Sequence, residues 1–155
     1  MFVFNNKFLI MAFIQPCFIR KNTPELRKKL EGLGYLPPSK VWYDEDFAIC
    51  AFWRDNNGEY LIYEIDDDFE RIIAPNYPFI DCGTNEALFI ALAALQDNTD
   101  VNQWFVMDVE EYMDINQGDW FIATDRNKGK HIGTQIDPMY CHKATVEEII
   151  EHFKK

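Results

Sequence analysis

The 155-residue sequence contains no apolar run long enough to cross a bilayer. Its longest clean stretch, Ala87 to Leu95, is nine residues, where a helical span takes about 20. None of the four cysteines, Cys17, Cys50, Cys82 and Cys141, forms a C-x-x-C pair, and a chain of this length buries enough surface to fold without disulfides. Positive charge is nearly missing from the middle: between residues 41 and 125 only Arg54 and Arg71 stand against twenty acids. Neutralising phosphate takes a basic stripe, so direct binding to DNA or RNA is not expected. There is no phosphate-cradling glycine loop, no serine-nucleophile motif and no pair of histidines at metal-ligand spacing, so no cofactor and no metal is expected.

What is present describes one acidic, soluble domain. At 48% apolar and 15% aromatic residues, the chain is far too apolar for a disordered acidic tail. Each cysteine lies among apolar neighbours, as in Phe79-Ile80-Asp81-Cys82 and Ala48-Ile49-Cys50-Ala51, which reads as reduced thiols, mostly buried as small hydrophobes. The run Phe8 to Ile14 imitates the apolar core of a signal peptide, but one Lys precedes it and no small-x-small cleavage site follows before Gln15-Pro16. It reads as a strand, or as part of an extension over residues 1–10 ahead of a start at Met11, and a cytoplasmic location is expected. Charge comes in blocks: +5 over residues 1–40, −18 over 41–125 and +2 over 126–155. Either the basic ends fold over the acidic middle, or the middle presents a face to a basic partner.

The most specific pattern is a repeat. Thr-x-Glu occurs at Thr23, Thr84 and Thr145, each 61 residues after the last. Phe18-Ile19 and Phe79-Ile80 share that spacing, and Leu26, Leu30 and Leu33 correspond within one residue to Leu88, Leu92 and Leu95. The pattern predicts two βαββ-like units, residues 18–78 and 79–139, with a truncated third over 140–155, all in one domain. Each Thr hydroxyl suits the free N–H groups at a helix start, and the following acid suits the positive end of the dipole.

The first helix is expected over Pro24 to Leu33, ended by Gly34. The second, Asn85 to about Gln96, is apolar nearly all round and belongs at the centre of the core. The third, Val146 to His152, sets Ile149, Ile150 and Phe153 against Glu147, Glu148 and Glu151, with Thr145 and Glu148 forming a capping box. Phe47 to Arg54 and Glu59 to Ile65 read as strands joined by the turn Asp55-Asn56-Asn57-Gly58. Gln103 to Met107 and Trp120 to Thr124 read as a second pair, with a short helical turn expected inside Asp108 to Asp119. The fold class expected is α+β, an antiparallel sheet with helices packed on one face.

Cys82 is the residue to examine for chemistry, because a helix N-terminus lowers a thiol's pKa. Asp81-Cys82-Gly83, Gln117-Gly118-Asp119-Trp120-Phe121 and Lys130-His131-Ile132-Gly133 resemble the papain-like peptidoglycan endopeptidases over about 65 residues. Gly83-Thr84 stands where that family has Ser-Gly. The resemblance implies Cys82 as nucleophile, His131 as its base and His142 as orienter. Within the repeat, however, Cys82 falls opposite Lys21, so its position belongs to a helix-capping plan that works without a cysteine. The leading expectation is therefore a structural thiol and no catalytic residue, with the cysteine hydrolase as the alternative.

Asp66-Asp67-Asp68 reads as a solvated turn, since consecutive acids on a strand point to opposite faces and no calcium-loop glycine surrounds them. Trp42, Trp53, Trp104 and Trp120 fall in predicted strands and read as sheet packing.

Three longer stretches, Pro16 to Leu30, Ile80 to Phe89 and His142 to Phe153, resemble a set of small uncharacterised phage and prophage proteins of gut anaerobes. That resemblance implies a setting, a mobile element, and no activity. With the acidic block it leads to the expected function: a non-catalytic module binding a basic host protein. The candidate face comprises Asp44, Glu45, Asp46, Asp66, Asp67, Asp68, Asp108, Glu110 and Glu111, with neither nucleic acid nor membrane as partner.

Overall fold

A computed structural model of the chain describes residues 17–33, 48–54, 59–65, 79–97, 99–112, 115–123 and 139–154. Strand β1 (Cys17–Ile19) is buried along its whole length and leads into α1 (Pro24–Gly32). Thr23, in extended backbone, accepts the Leu26 N–H on its hydroxyl at 3.1 Å, and Pro24 fills the first helical position, where no donor is needed. Leu26 and Leu30, one turn apart, face inward. The hairpin strands β2 (Ala48–Arg54) and β3 (Glu59–Ile65) pair antiparallel from Ala48 opposite Ile65 to Arg54 opposite Glu59, as the aromatic and β-branched pattern predicts.

The next junction corrects the expected cap. After β4 (Ile80–Asp81), helix α2 (Glu86–Ala93) is capped by Asn85, not Thr84. The Asp81 carboxylate accepts the Gly83 N–H at 2.7 Å, Gly83 takes φ +58, and the Asn85 N–H donates to the Cys82 carbonyl. This turn delays the helix by one residue. Left-handed backbone of this kind is open to glycine at no steric cost. With caps at 23 and 85, the leucines align without offset: Leu26 with Leu88, Leu30 with Leu92 and Leu33 with Leu95. Asn85 also does what a threonine hydroxyl would not. Its Oδ1 accepts the Leu88 N–H while its Nδ2 donates to the Phe153 carbonyl at the far end of the third helix.

Helix α2 ends earlier than the apolar run, because Gln103 takes over its C-terminal groups. The Gln103 side chain, buried, accepts the Gln96 N–H and donates to the Ala94 carbonyl, both at 2.8 Å. Strands β5 (Trp104–Met107) and β8 (Trp120–Ile122) follow as expected. The connection between them is a small hairpin, β6 (Glu111–Tyr112) and β7 (Ile115–Asn116), in place of the expected helical turn. Val109, Tyr112 and Ile115 favour extended backbone, and Gly118 at φ +85 returns the chain to β8. Strand β9 (Cys141–Lys143) and helix α3 (Val146–Phe153) complete the described elements.

The pairing divides the described strands into two larger sheets and the separate β6–β7 hairpin. The four-stranded sheet has order β3-β2-β1-β4, antiparallel except for the parallel pair β1 and β4; the three-stranded sheet, β8-β5-β9, is antiparallel throughout. Among the described elements the first unit runs strand–helix–strand–strand, the second has the β6–β7 hairpin between β5 and β8, and β1 pairs with its own β2 while β5 takes β9 from beyond its unit. Helix α2 packs against α1, α3 and β1. Leu88, Phe89 and Leu92 join Leu26, Leu30, Ile49 and Ile149 in the main core. A second cluster, Phe105, Met107, Ala123 and Cys141, occupies the other face of the three-stranded sheet. Cys17, Cys82 and Cys141 are buried.

Candidate functional site

The sequence-selected residues fall into three groups. Asp44, Glu45, Asp46, Asp66, Asp67, Asp68 and His131 lie outside the described residues, as does the side chain of Glu111. Asp108 and Glu110 are exposed where β5 leads to β6, and His142 is half-buried in the middle of β9. Cys82 belongs to the main core, with 4% of its surface exposed.

His142 gathers acids that are remote in sequence. Its Nδ1 lies 2.7 Å from Asp108 Oδ1 and its Nε2 2.9 Å from Glu148 Oε1. The second Glu148 oxygen accepts from the Thr145 N–H and hydroxyl, while the Thr145 hydroxyl accepts the Glu148 N–H, which closes the capping box of α3. Strand β9 places the ring by pairing with β5, with Val106 opposite His142. The turn is held from the backbone as well: the Asp108 N–H donates to the Tyr140 carbonyl, and Gln117 Nε2 donates to the Asp108 carbonyl. The Glu148 hydrogen bond, outweighing partial burial and aided by Asp108, raises the His142 pKa above that of an ordinary imidazole. For Glu148, partial burial pushes the carboxyl up, but the bonds from Thr145 and His142 outweigh it and hold the pKa below the usual value.

This arrangement links the β5–β6 connection to α3 through Asp108 and Glu148. Asp108 and Glu110 come from the β5–β6 connection, and Glu147 and Glu151 project from α3 on either side of Glu148. The charge blocks of the sequence assigned α3 to the basic end of the chain, so its three glutamates were absent from the expected face. Their Thr-x-x-Glu signature was visible, but the link from Glu148 through His142 to Asp108 has no local signal.

The same geometry bears on the cysteine hydrolase. His131, the base in that reading, lies outside the described residues, and His142, its orienter, has both ring nitrogens facing carboxylates. The Cys82 thiol lies in the core beneath α2, while its N–H and carbonyl are engaged with Phe18 and Asn85. Among the described residues, no three or more His, Cys, Asp or Glu side chains come together in a way that could hold a metal ion.

A cleft of about 570 Å³ opens along one flank of α2, walled by Leu33, Ala87, Ile90, Trp104, Ile122 and Phe153. An ion pair between Lys29 and Glu86 crosses its rim from α1 to α2. Beside it, Trp120 stacks on His152 at 4.0 Å between ring centroids, and Trp104 meets both Trp120 and Phe153 edge-on. Trp104 and Trp120 therefore pack as the strand reading expected, against α3 as well as within the sheet.

Comparison of the chain with protein-family models, with curated proteins and with solved structures found no match. No described helix is long and apolar enough to cross a membrane.

Proposed function

We propose that the protein is a non-catalytic binding module that docks a basic host protein on its acidic surface, in the cytoplasm of a cell carrying a mobile element. The observation behind this reading is the junction at His142, which stands between Asp108 of the β5–β6 turn and Glu148 of α3; Glu110, Glu147 and Glu151, close to these two in sequence, are exposed. The acids over 44–46 and 66–68 extend the charge of the same chain. An extended field of one sign raises association rates with partners of the other sign and is screened over about 8–10 Å at physiological salt. The mobile-element setting rests on the resemblance of the three strand-to-helix segments to phage and prophage proteins.

The test is affinity capture from host lysate with the wild-type chain and with the double variant Glu147→Lys, Glu151→Lys. Both residues are exposed on α3, so the variant retains the fold. A basic protein retained by the wild type, released by added salt and lost with the variant is the expected result. Retention that ignores both the substitutions and the salt overturns the reading.

A further inference from the structure

We propose that His142 is a proton-operated clasp between the β5–β6 turn and helix α3, and that it sets how much of the acidic surface is free; this second clause rests on the binding role proposed above. A neutral imidazole has one N–H and one lone pair. Here both ring nitrogens stand within hydrogen-bond distance of a carboxylate oxygen, 2.7 Å to Asp108 and 2.9 Å to Glu148. Only the imidazolium donates to both. Once it loses a proton, one nitrogen turns a lone pair toward an anion, and one of the two contacts must open.

The partners are unequal. Glu148 is fixed through its other oxygen by the Thr145 N–H and hydroxyl, inside the cap of α3. Among the described residues the Asp108 carboxylate makes no other hydrogen bond, although the Asp108 backbone stays tied to Tyr140 and Gln117. The neutral ring therefore keeps its hydrogen on Nε2 toward Glu148 and releases Asp108. The charged groups facing the ring among the described residues are Asp108 from the turn and Glu148 from α3. Gln117 faces the same turn with a neutral amide, and β5 offers Val106. Among the described residues, the ion pairs of these two carboxylates are those with His142.

The sign follows from the direction of the shift. A group whose pKa is raised by folding adds stability that is complete at low pH and is lost as pH rises through the folded value. The clasp is closed below about pH 6.5, the ordinary imidazole value, and opens above the raised one. Opening exposes the Asp108 carboxylate and removes one positive charge from the acidic surface, so a basic partner should bind more tightly on the alkaline side.

Two readouts on the full chain separate the clasp from the binding role. The first follows the ring proton resonances of His142 by NMR between about pH 5 and 9, in the wild type, in Asp108→Asn and in His142→Gln, which identifies the signal by its loss. A wild-type midpoint above that of an unperturbed imidazole, moved down in Asp108→Asn, supports the clasp. A midpoint at or below the ordinary value, or one indifferent to Asp108, overturns it. The second measures binding of the peptide hexalysine across the same range. An increase in affinity that tracks the His142 midpoint and vanishes in His142→Gln supports control of the surface. Equal pH dependence in both proteins overturns that control even if the midpoint is raised. No hexalysine binding at any pH overturns the control and counts against the binding role, and leaves the clasp to be decided by the midpoint.

Discussion

The strand-to-helix junctions at Thr23, Asn85 and Thr145 share one local device: a short polar side chain in extended backbone that accepts an N–H from the first turn. Their surroundings differ. At α1, Arg27 is buried, with 8% of the residue exposed, its Nε donating to Asn22 at 2.8 Å and its Nη2 without a partner among the described residues. At α2, the cap doubles as a bridge to the end of α3. At α3, the cap closes on itself and on a histidine that reaches a distant turn. One capping solution has thus been fitted to three tertiary settings, and the settings, not the caps, distinguish the segments.

The hardest test of that contrast is in the core. Phe89 on α2 is fully buried among side chains from α1, β1 and α3, so Phe89→Ala should cost about 3–5 kcal/mol in denaturant unfolding. A loss under about 1 kcal/mol would mean that α2 is not the helix around which the others pack.

A finer test concerns the bridge. Asn85→Ala removes both the cap and the Phe153 bond and should cost about 1–2 kcal/mol. Asn85→Thr restores the residue type of the other two junctions, keeps the cap and loses only the bridge, so its cost should be about 1 kcal/mol. If the threonine variant matches wild type, the bridge contributes nothing and the α2 junction is no different from the others.

The smallest effect is expected at Arg20 and Asp81, which join the ends of β1 and β4 at 2.9 Å in solvent. Partial burial pushes the Asp81 carboxyl up, but the bonds from Arg20 and the Gly83 N–H outweigh it, and its pKa lies below the ordinary value. A depressed carboxylate contributes fully at neutral pH and loses its contribution as pH falls through the folded value. Arg20→Gln should therefore cost about 0.2–1 kcal/mol near neutrality, less in high salt, and nothing in strong acid. A cost that persists under both conditions would assign Arg20 a packing role instead.

How much of this the sequence carried depends on range. The hairpin of β2 and β3, the three helices and the buried character of α2 follow from period, turn residues and caps, all interactions within a few residues. The cap at Asn85 was missed by one position because Thr84 offered the same chemistry, and the deciding contact, Asp81 to Gly83, is a turn feature that periodicity does not register. The small hairpin β6–β7 was missed because two-residue strands have no measurable alternation. The parallel pairing of β1 with β4 and the choice of β9 by β5 involve partners with no local trace of each other. The acidic surface is half legible for the same reason: Asp108 and Glu110 stood out as charge, but Glu148 joined them only through His142.

The placement of β9 has a consequence for how the chain acquires its structure. The central strand of the second sheet, β5, ends at Met107, yet Met107 pairs with Cys141. While residues are added one at a time from the amino end, β5 can gain β8 on one side but must wait for β9 on the other. Helix α2 likewise waits for α3, whose Ile149 enters the same core. The half made first can pair β1, β2 and β3 on contacts local to itself, although its core still takes side chains from α2; the half made later stays open until β9 and α3 have emerged. Such non-local pairing slows folding, and during that interval Trp104, Val106 and the inner face of α2 are exposed to whatever else is present in the cell.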